Sequence, residues 1–171
     1  YPSSTIIHSG YEAMPLADNM FDLVIANPPY GSKKEIFKTK PHLNKFSIHN
    51  QFIIGNIENL KPNGIAVIVV THSFMDAADN SARKLVASMS NLVAAVRLPE
   101  NTFKENANTN VITDILIFQK FDEATKAQFD EAKINIFPDW VHSGTLESKD
   151  GQPMSFSSYV TKGKGKVIGK V

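Results

Sequence analysis

Phe21-Asp22-Leu23-Val24-Ile25-Ala26 runs directly into Asn27-Pro28-Pro29-Tyr30-Gly31. The first six residues are mostly apolar and rich in strand formers. The run ends abruptly, because two successive prolines cannot continue a strand ladder or a helix. In open α/β sheets, ligands sit beyond the carboxyl ends of the strands, so the loop at Asn27 stands where a site belongs. Its chemistry is specific. Asn27 offers a side-chain carbonyl as acceptor. The prolines remove N–H groups and stiffen the loop, which leaves neighbouring backbone carbonyls free to face a ligand. Together they form a rigid acceptor pair for a planar –NH2 group, and Tyr30 adds an aromatic face. An amine on a flat ring is an exocyclic amine of a nucleobase; the other candidate is a side-chain amide.

Outward from this stretch the chain alternates in period. Thr5 to His8 is a short strand candidate, closed by Ser9-Gly10. Residues 31–45 are polar and loop-like, with Lys33, Lys34, Lys38, Lys40 and Lys45 against a single acid, Glu35. His49, Phe52, Ile53, Asn56, Ile57 and Leu60 follow helical spacing. Pro62-Asn63-Gly64 reads as a turn, and Ile65 to Val70 as a strand buried on both faces. Asp79 or Asn80 caps a helix running to about Met89. Leu92–Leu98 and Val111–Gln119 are strands separated by a polar loop, and Asp122–Lys133 is a surface helix. The two later strands have no helix between them, so they are expected as antiparallel neighbours. Gly144, Gly151 and Pro153 mark turns, and Lys162-Gly163-Lys164-Gly165-Lys166 reads as a flexible tail. This alternation predicts an α/β layered sheet.

Composition narrows the classes. The chain has 171 residues, is 42% hydrophobic and carries a net charge of +1. That suits one globular domain or a large piece of one, and not a disordered chain. Cysteine is absent, which excludes disulfide frameworks, cysteine-ligated metals and thiol nucleophiles. The five histidines are scattered without metal-ligand spacing, so no metal is expected. No run approaches the ~18 apolar residues of a membrane helix, so no membrane association is expected. The chain begins at Tyr1 without Met, and no charged-then-apolar leader follows. It is read as an internal fragment of a longer cytoplasmic protein.

The segment Phe21–Gly31 resembles motif IV of S-adenosylmethionine-dependent N6-adenine DNA methyltransferases. The resemblance continues through Leu60-Lys61-Pro62-Asn63-Gly64 with the strand after it. It extends to Val96-Arg97-Leu98-Pro99, Phe103 and Val111–Lys120, which resemble the later block of restriction-system modification subunits. It is nearest the large methylase–helicase proteins of phages and mobile elements, in which Pro138-Asp139-Trp140 and Ser158-Tyr159 have rough counterparts.

The resemblance implies a partial Rossmann-like class I S-adenosylmethionine-dependent methyltransferase sheet lacking its N-terminal cofactor-binding half. Residues 1–137 would be the C-terminal part of the catalytic domain, and 138–171 an irregular extension with a basic flexible tail. Asn27 and the Pro28 carbonyl would accept from the N6 amine of a flipped-out adenine, with Pro29 stiffening the loop and Tyr30 stacking on the base. Methyl transfer would then be direct, without a covalent intermediate, in keeping with the absence of cysteine. Phe103 would pack on the same base, the competing role being a loop anchor. Lys33 and Lys34, in the lysine-rich loop directly after Tyr30, are read as contacts to DNA phosphates, the competing role being an ordinary solvated loop. Tyr11 would stack on the cofactor, S-adenosyl-L-methionine, with core packing as the competing role, and Asn27 would also face that cofactor. The family's glycine-rich cofactor loop precedes motif IV and has no counterpart here. A sheet edge that should be central is therefore expected to be exposed. Thr5–His8 is expected displaced or mispaired, or the edge meets another chain, either the remainder of the parent polypeptide or a second copy. Two other readings stay open: methylation of a protein glutamine or RNA base, and a non-catalytic nucleic-acid-binding fragment.

Overall fold

The computed structural model of the protein describes residues 3–31, 35–100, 102, 111–132 and 137–168. The elements in chain order begin with strand β1 (Phe21–Ala26), helix α1 (Ile48–Glu58), strand β2 (Leu60–Thr71), the short helix α2 (Ser73–Asp76) and helix α3 (Ser81–Ala87). Strands β3 (Ser90–Arg97) and β4 (Thr113–Lys120) follow, then helix α4 (Glu123–Glu131). The chain closes with a hairpin of β5 (Ser143–Glu147) and β6 (Pro153–Ser157), a turn of helix α5 (Ser158–Thr161) and the two-residue strand β7 (Lys166–Val167).

Five strands form one mixed sheet in the order β1-β2-β4-β3-β7. β1 lies parallel to β2, and β4 is antiparallel to both β2 and β3, as expected for strands with no helix between them. Register puts Val24, Ala26, Ala66, Ile68, Val70, Leu116, Phe118 and Ala95 on one face. There they join Ile53, Ile54 and Ile57 of α1 and Val86 of α3 in the core. The opposite face carries Ile65, Val67 and Val69, which are only half-buried. β2 was expected to be buried on both faces. It is fully buried on one, because α1 and α3 supply the covering apolar side chains on that face.

Three further expectations are corrected by the backbone. Pro62-Asn63-Gly64 is a kink within β2, not a turn before it: Asn63 has φ 64°, and the β1–β2 register shifts between Phe21 and Leu23. Gly64 is required there, since a Cβ would lie 2.8 Å from the Lys61 carbonyl oxygen and 3.1 Å from that of Phe21. Gly144 and Pro153 lie inside strands, and only Gly151, at φ 76°, marks the hairpin turn. The segment after residue 137, expected to be irregular, packs Trp140 and Val141 into the core. Its basic tail is held by Lys162 and Lys164 on Asp139, at 2.9 and 2.7 Å, and β7 pairs with β3.

Thr5–His8 forms no strand; Ile6 is 91% exposed. β1 is the edge of the sheet, with Leu23 54% and Ile25 76% exposed. An unpaired edge bearing apolar side chains is a template for another strand. We therefore expect this 171-residue chain to self-associate in sedimentation experiments, and Ile25→Lys to shift it towards monomer. A wild-type chain that stays monomeric at high concentration would contradict this.

Candidate active site

β1 delivers its carboxyl end to the motif. Asn27 is exposed, Pro28 is buried behind it, and Tyr30 is half-buried. The Tyr30 hydroxyl donates to Oδ1 of Asn27 at 2.8 Å. The structure thus brings together two of the residues expected to act jointly. Burial pushes the Tyr30 phenol pKa up, so the group keeps its proton at neutral pH.

The loop after the motif is pinned by polar side chains that its sequence pattern did not single out. Gln51 on α1 is fully buried. Its Oε1 accepts from the Glu35 N–H at 3.1 Å, and its Nε2 donates to the carbonyls of Glu35 at 2.9 Å and Leu43 at 3.2 Å. Asn44 Oδ1 accepts from the Phe37 N–H at 2.9 Å. The signal was a glutamine on the buried side of an apolar helix, where an amide must be satisfied.

Not every expected residue gathers at this end. Tyr11 packs its ring on Phe52, at 4.7 Å between centroids, and on Phe37 at 5.8 Å. Its hydroxyl accepts from Asn59 Nδ2 at 2.9 Å. Asn59 in turn accepts from the N–H groups of Met20 and Phe21 at the start of β1, the far end of that strand from Asn27. Burial raises the Tyr11 pKa, with the Glu58 charge adding to it. Lys40, one of the five loop lysines, turns to that same far end and binds Asp18 at 2.6 Å and Glu58 at 2.9 Å. Lys33, Lys34 and Phe103 lie outside the described residues.

At the carboxyl end of the sheet sits a buried ion cluster. Arg97 ends β3 and is 2% exposed. Its Nε and Nη2 donate to Asp114 at 2.8 and 2.9 Å, while Nη1 and Nη2 reach Asp76 at 3.0 and 3.1 Å. Phe156 covers the guanidinium at 5.0 Å. Asp76 also accepts from the Ser157 N–H and pairs with His72, both at 2.9 Å. Burial opposes the charge on Arg97, but Asp114 and Asp76 outweigh it and hold its pKa above the ordinary value. Burial likewise opposes the charge on Asp76, and hydrogen bonds from His72 and Arg97 outweigh it and lower its pKa. Arg83, 1% exposed, donates to the carbonyls of Val141, Phe74 and Ala77, which ties α3 to both neighbouring loops. Among the described residues, no cluster of three His, Cys, Asp or Glu side chains is arranged to hold a metal, and no helix is long and apolar enough to cross a membrane.

Residues 3–154 match the N-6 DNA methylase family. The chain belongs to that family. Among solved structures it is similar to a modification subunit assigned to a type I restriction enzyme from Vibrio vulnificus YJ016. The identity is 18% and the TM-score 0.53, over 88% of this chain and 41% of that one. It is also similar to a protein from Listeria monocytogenes described as a class I S-adenosylmethionine-dependent methyltransferase. There the identity is 24% and the TM-score 0.51, over 66% of this chain and 35% of that one. At these identities the likeness shows the fold, and the family chain spans well under half of each relative. No protein of curated function matches the sequence. The α/β sheet expected of a class I methyltransferase is therefore present in part.

The ion cluster sets a testable dependence. Asp76→Asn leaves Arg97 with an incompletely paired buried charge and is expected to cost about 3–5 kcal/mol in urea unfolding. The Asp76 pKa is lower folded than unfolded, so its contribution is full above the ordinary carboxylate value and is lost as pH falls through the folded value. Wild-type stability should therefore fall more steeply than the variant's below about pH 4. Parallel curves would contradict the assignment.

Proposed function

We propose that this family chain is the base-binding part of a DNA adenine-N6 methyltransferase. The reading rests on Asn27, an exposed residue between the end of β1 and buried Pro28, whose Oδ1 accepts from the Tyr30 hydroxyl. Adenine N6 cannot be alkylated inside the base stack, so the base must leave the duplex. Asn27 Oδ1 and the Pro28 carbonyl then accept from the two N6 hydrogens. This holds the amine in one orientation, with its nitrogen directed at the methyl donor. Tyr30 covers a face of the ring. As the new N–C bond forms and the sulfonium S–CH3 bond breaks to release the neutral thioether, the nitrogen gains positive charge, which the two carbonyl dipoles stabilise without having to reorient, and it then loses one proton to solvent. The catalysis is positional and electrostatic.

S-adenosyl-L-methionine supplies the electrophilic methyl group. The residues of this chain fit the amine side of that reaction. Tyr11, the aromatic side chain expected on the cofactor, is committed to Phe37, Phe52 and Asn59. We therefore assign recognition of the cofactor's body to the remainder of the polypeptide, joined to this chain along the open β1 edge.

The test is transfer of labelled methyl to DNA by the full-length enzyme. Asn27→Ala should lower the rate by at least about 100-fold, the scale set by removing one preorganised electrostatic partner. A variant of near wild-type rate would overturn the assignment of the motif. Label appearing on protein glutamine instead of DNA would overturn the choice of substrate.

A further inference from the structure

The two motif side chains that meet are three residues apart, and their contact is a hydrogen bond, not a ring contact. An asparagine amide rotates about a broad, two-fold torsion. Half a turn exchanges its acceptor for a donor, and a donor facing an –NH2 group repels it. Asn27 is exposed, so packing does not fix that torsion. The Tyr30 hydroxyl does reach it, at 2.8 Å. A phenol donates better than it accepts, because its lone pairs delocalise into the ring. It therefore selects the amide orientation that presents Oδ1. A carbonyl oxygen has two lone pairs, so the bond to Tyr30 leaves one for a second donor.

We propose that the Tyr30 hydroxyl is a positioning group for the reaction: it locks the Asn27 amide with its carbonyl turned to receive the substrate amine. The inference rests on the methyltransferase reading above and divides Tyr30 into two parts. The ring covers the base, and the hydroxyl sets the acceptor. The two parts are separable by substitution.

Tyr30→Phe keeps the ring and removes the hydroxyl. In the full-length enzyme it should lower kcat on the order of tenfold, the rate equivalent of one hydrogen bond, with KM for DNA within about twofold of wild type. Tyr30→Ala should lower kcat and also raise KM. A second readout needs no activity. In the 171-residue chain, the side-chain amide pair of Asn27 is identified in nitrogen–proton NMR spectra by its loss in Asn27→Asp. In Tyr30→Phe that pair should move to the position of a free amide, while the backbone signals of Ala26 and Gly31 stay in place. An unmoved amide pair, or an unchanged kcat, would overturn the positioning role. If Asn27→Ala is inactive and Tyr30→Phe runs at the full rate, only this inference fails. If Asn27→Ala is itself active, the underlying reading fails with it.

Discussion

Arg97 stands buried between Asp114 and Asp76, and the carboxyl end of the sheet is built around that contact. The three residues come from β3, β4 and α2, and Ser157 and Phe156 bring the closing hairpin onto them. A buried guanidinium tolerates few geometries, since each donor left unpaired in the interior carries a desolvation penalty. Its pairing therefore fixes how two strand ends, a short helix and a hairpin meet. Arg83 does the same one layer away through three backbone carbonyls. These contacts close the β3–β4 side of the sheet's carboxyl end, and β1 releases Asn27 at the same end of the sheet.

The loop that carries Asn27 has supports of its own. A hydrogen-bond acceptor aids a reaction only if it is already placed when charge develops. β1 is held in register against β2, Pro28 is buried, and Gln51 and Asn44 fasten the loop that follows. Asn27 is left as an exposed polar atom on a fixed support. The other edge of β1 is open, with Leu23 and Ile25 exposed. The same strand thus carries the proposed acceptor at its end and an open apolar edge along its side.

Much of this was legible in the sequence for identifiable reasons. β1 and its end were readable because a six-residue run rich in strand formers meets two prolines, and the helix expected from Asp122 does start there, with the Asp122 side chain capping the Thr125 N–H. The antiparallel β3–β4 pair followed from the missing helix between two strands. Long-range packing was not legible. Gly64 signalled a turn by local chemistry, but a neighbouring strand made it a point of close backbone approach. Lys40 counted as one more cation in a basic loop until Glu58 and Asp18, distant in sequence, claimed it. Arg97 stood only as one residue of a strand-end block, and the topology alone brought Asp76 and Asp114 to it. Trp140 was read as part of an extension, but Phe118 on β4 supplies its ring contact at 5.7 Å.

On the proposed reading, the acceptor at Asn27 serves the exocyclic amine of adenine in DNA. The most direct measurement is mass spectrometry of nucleosides from duplex DNA after incubation with the full-length enzyme and S-adenosyl-L-methionine. N6-methyladenine is expected as the sole methylated nucleoside, absent when S-adenosyl-L-methionine is omitted. Methylation of cytosine, or of no nucleoside while protein glutamine gains the methyl group, would contradict it.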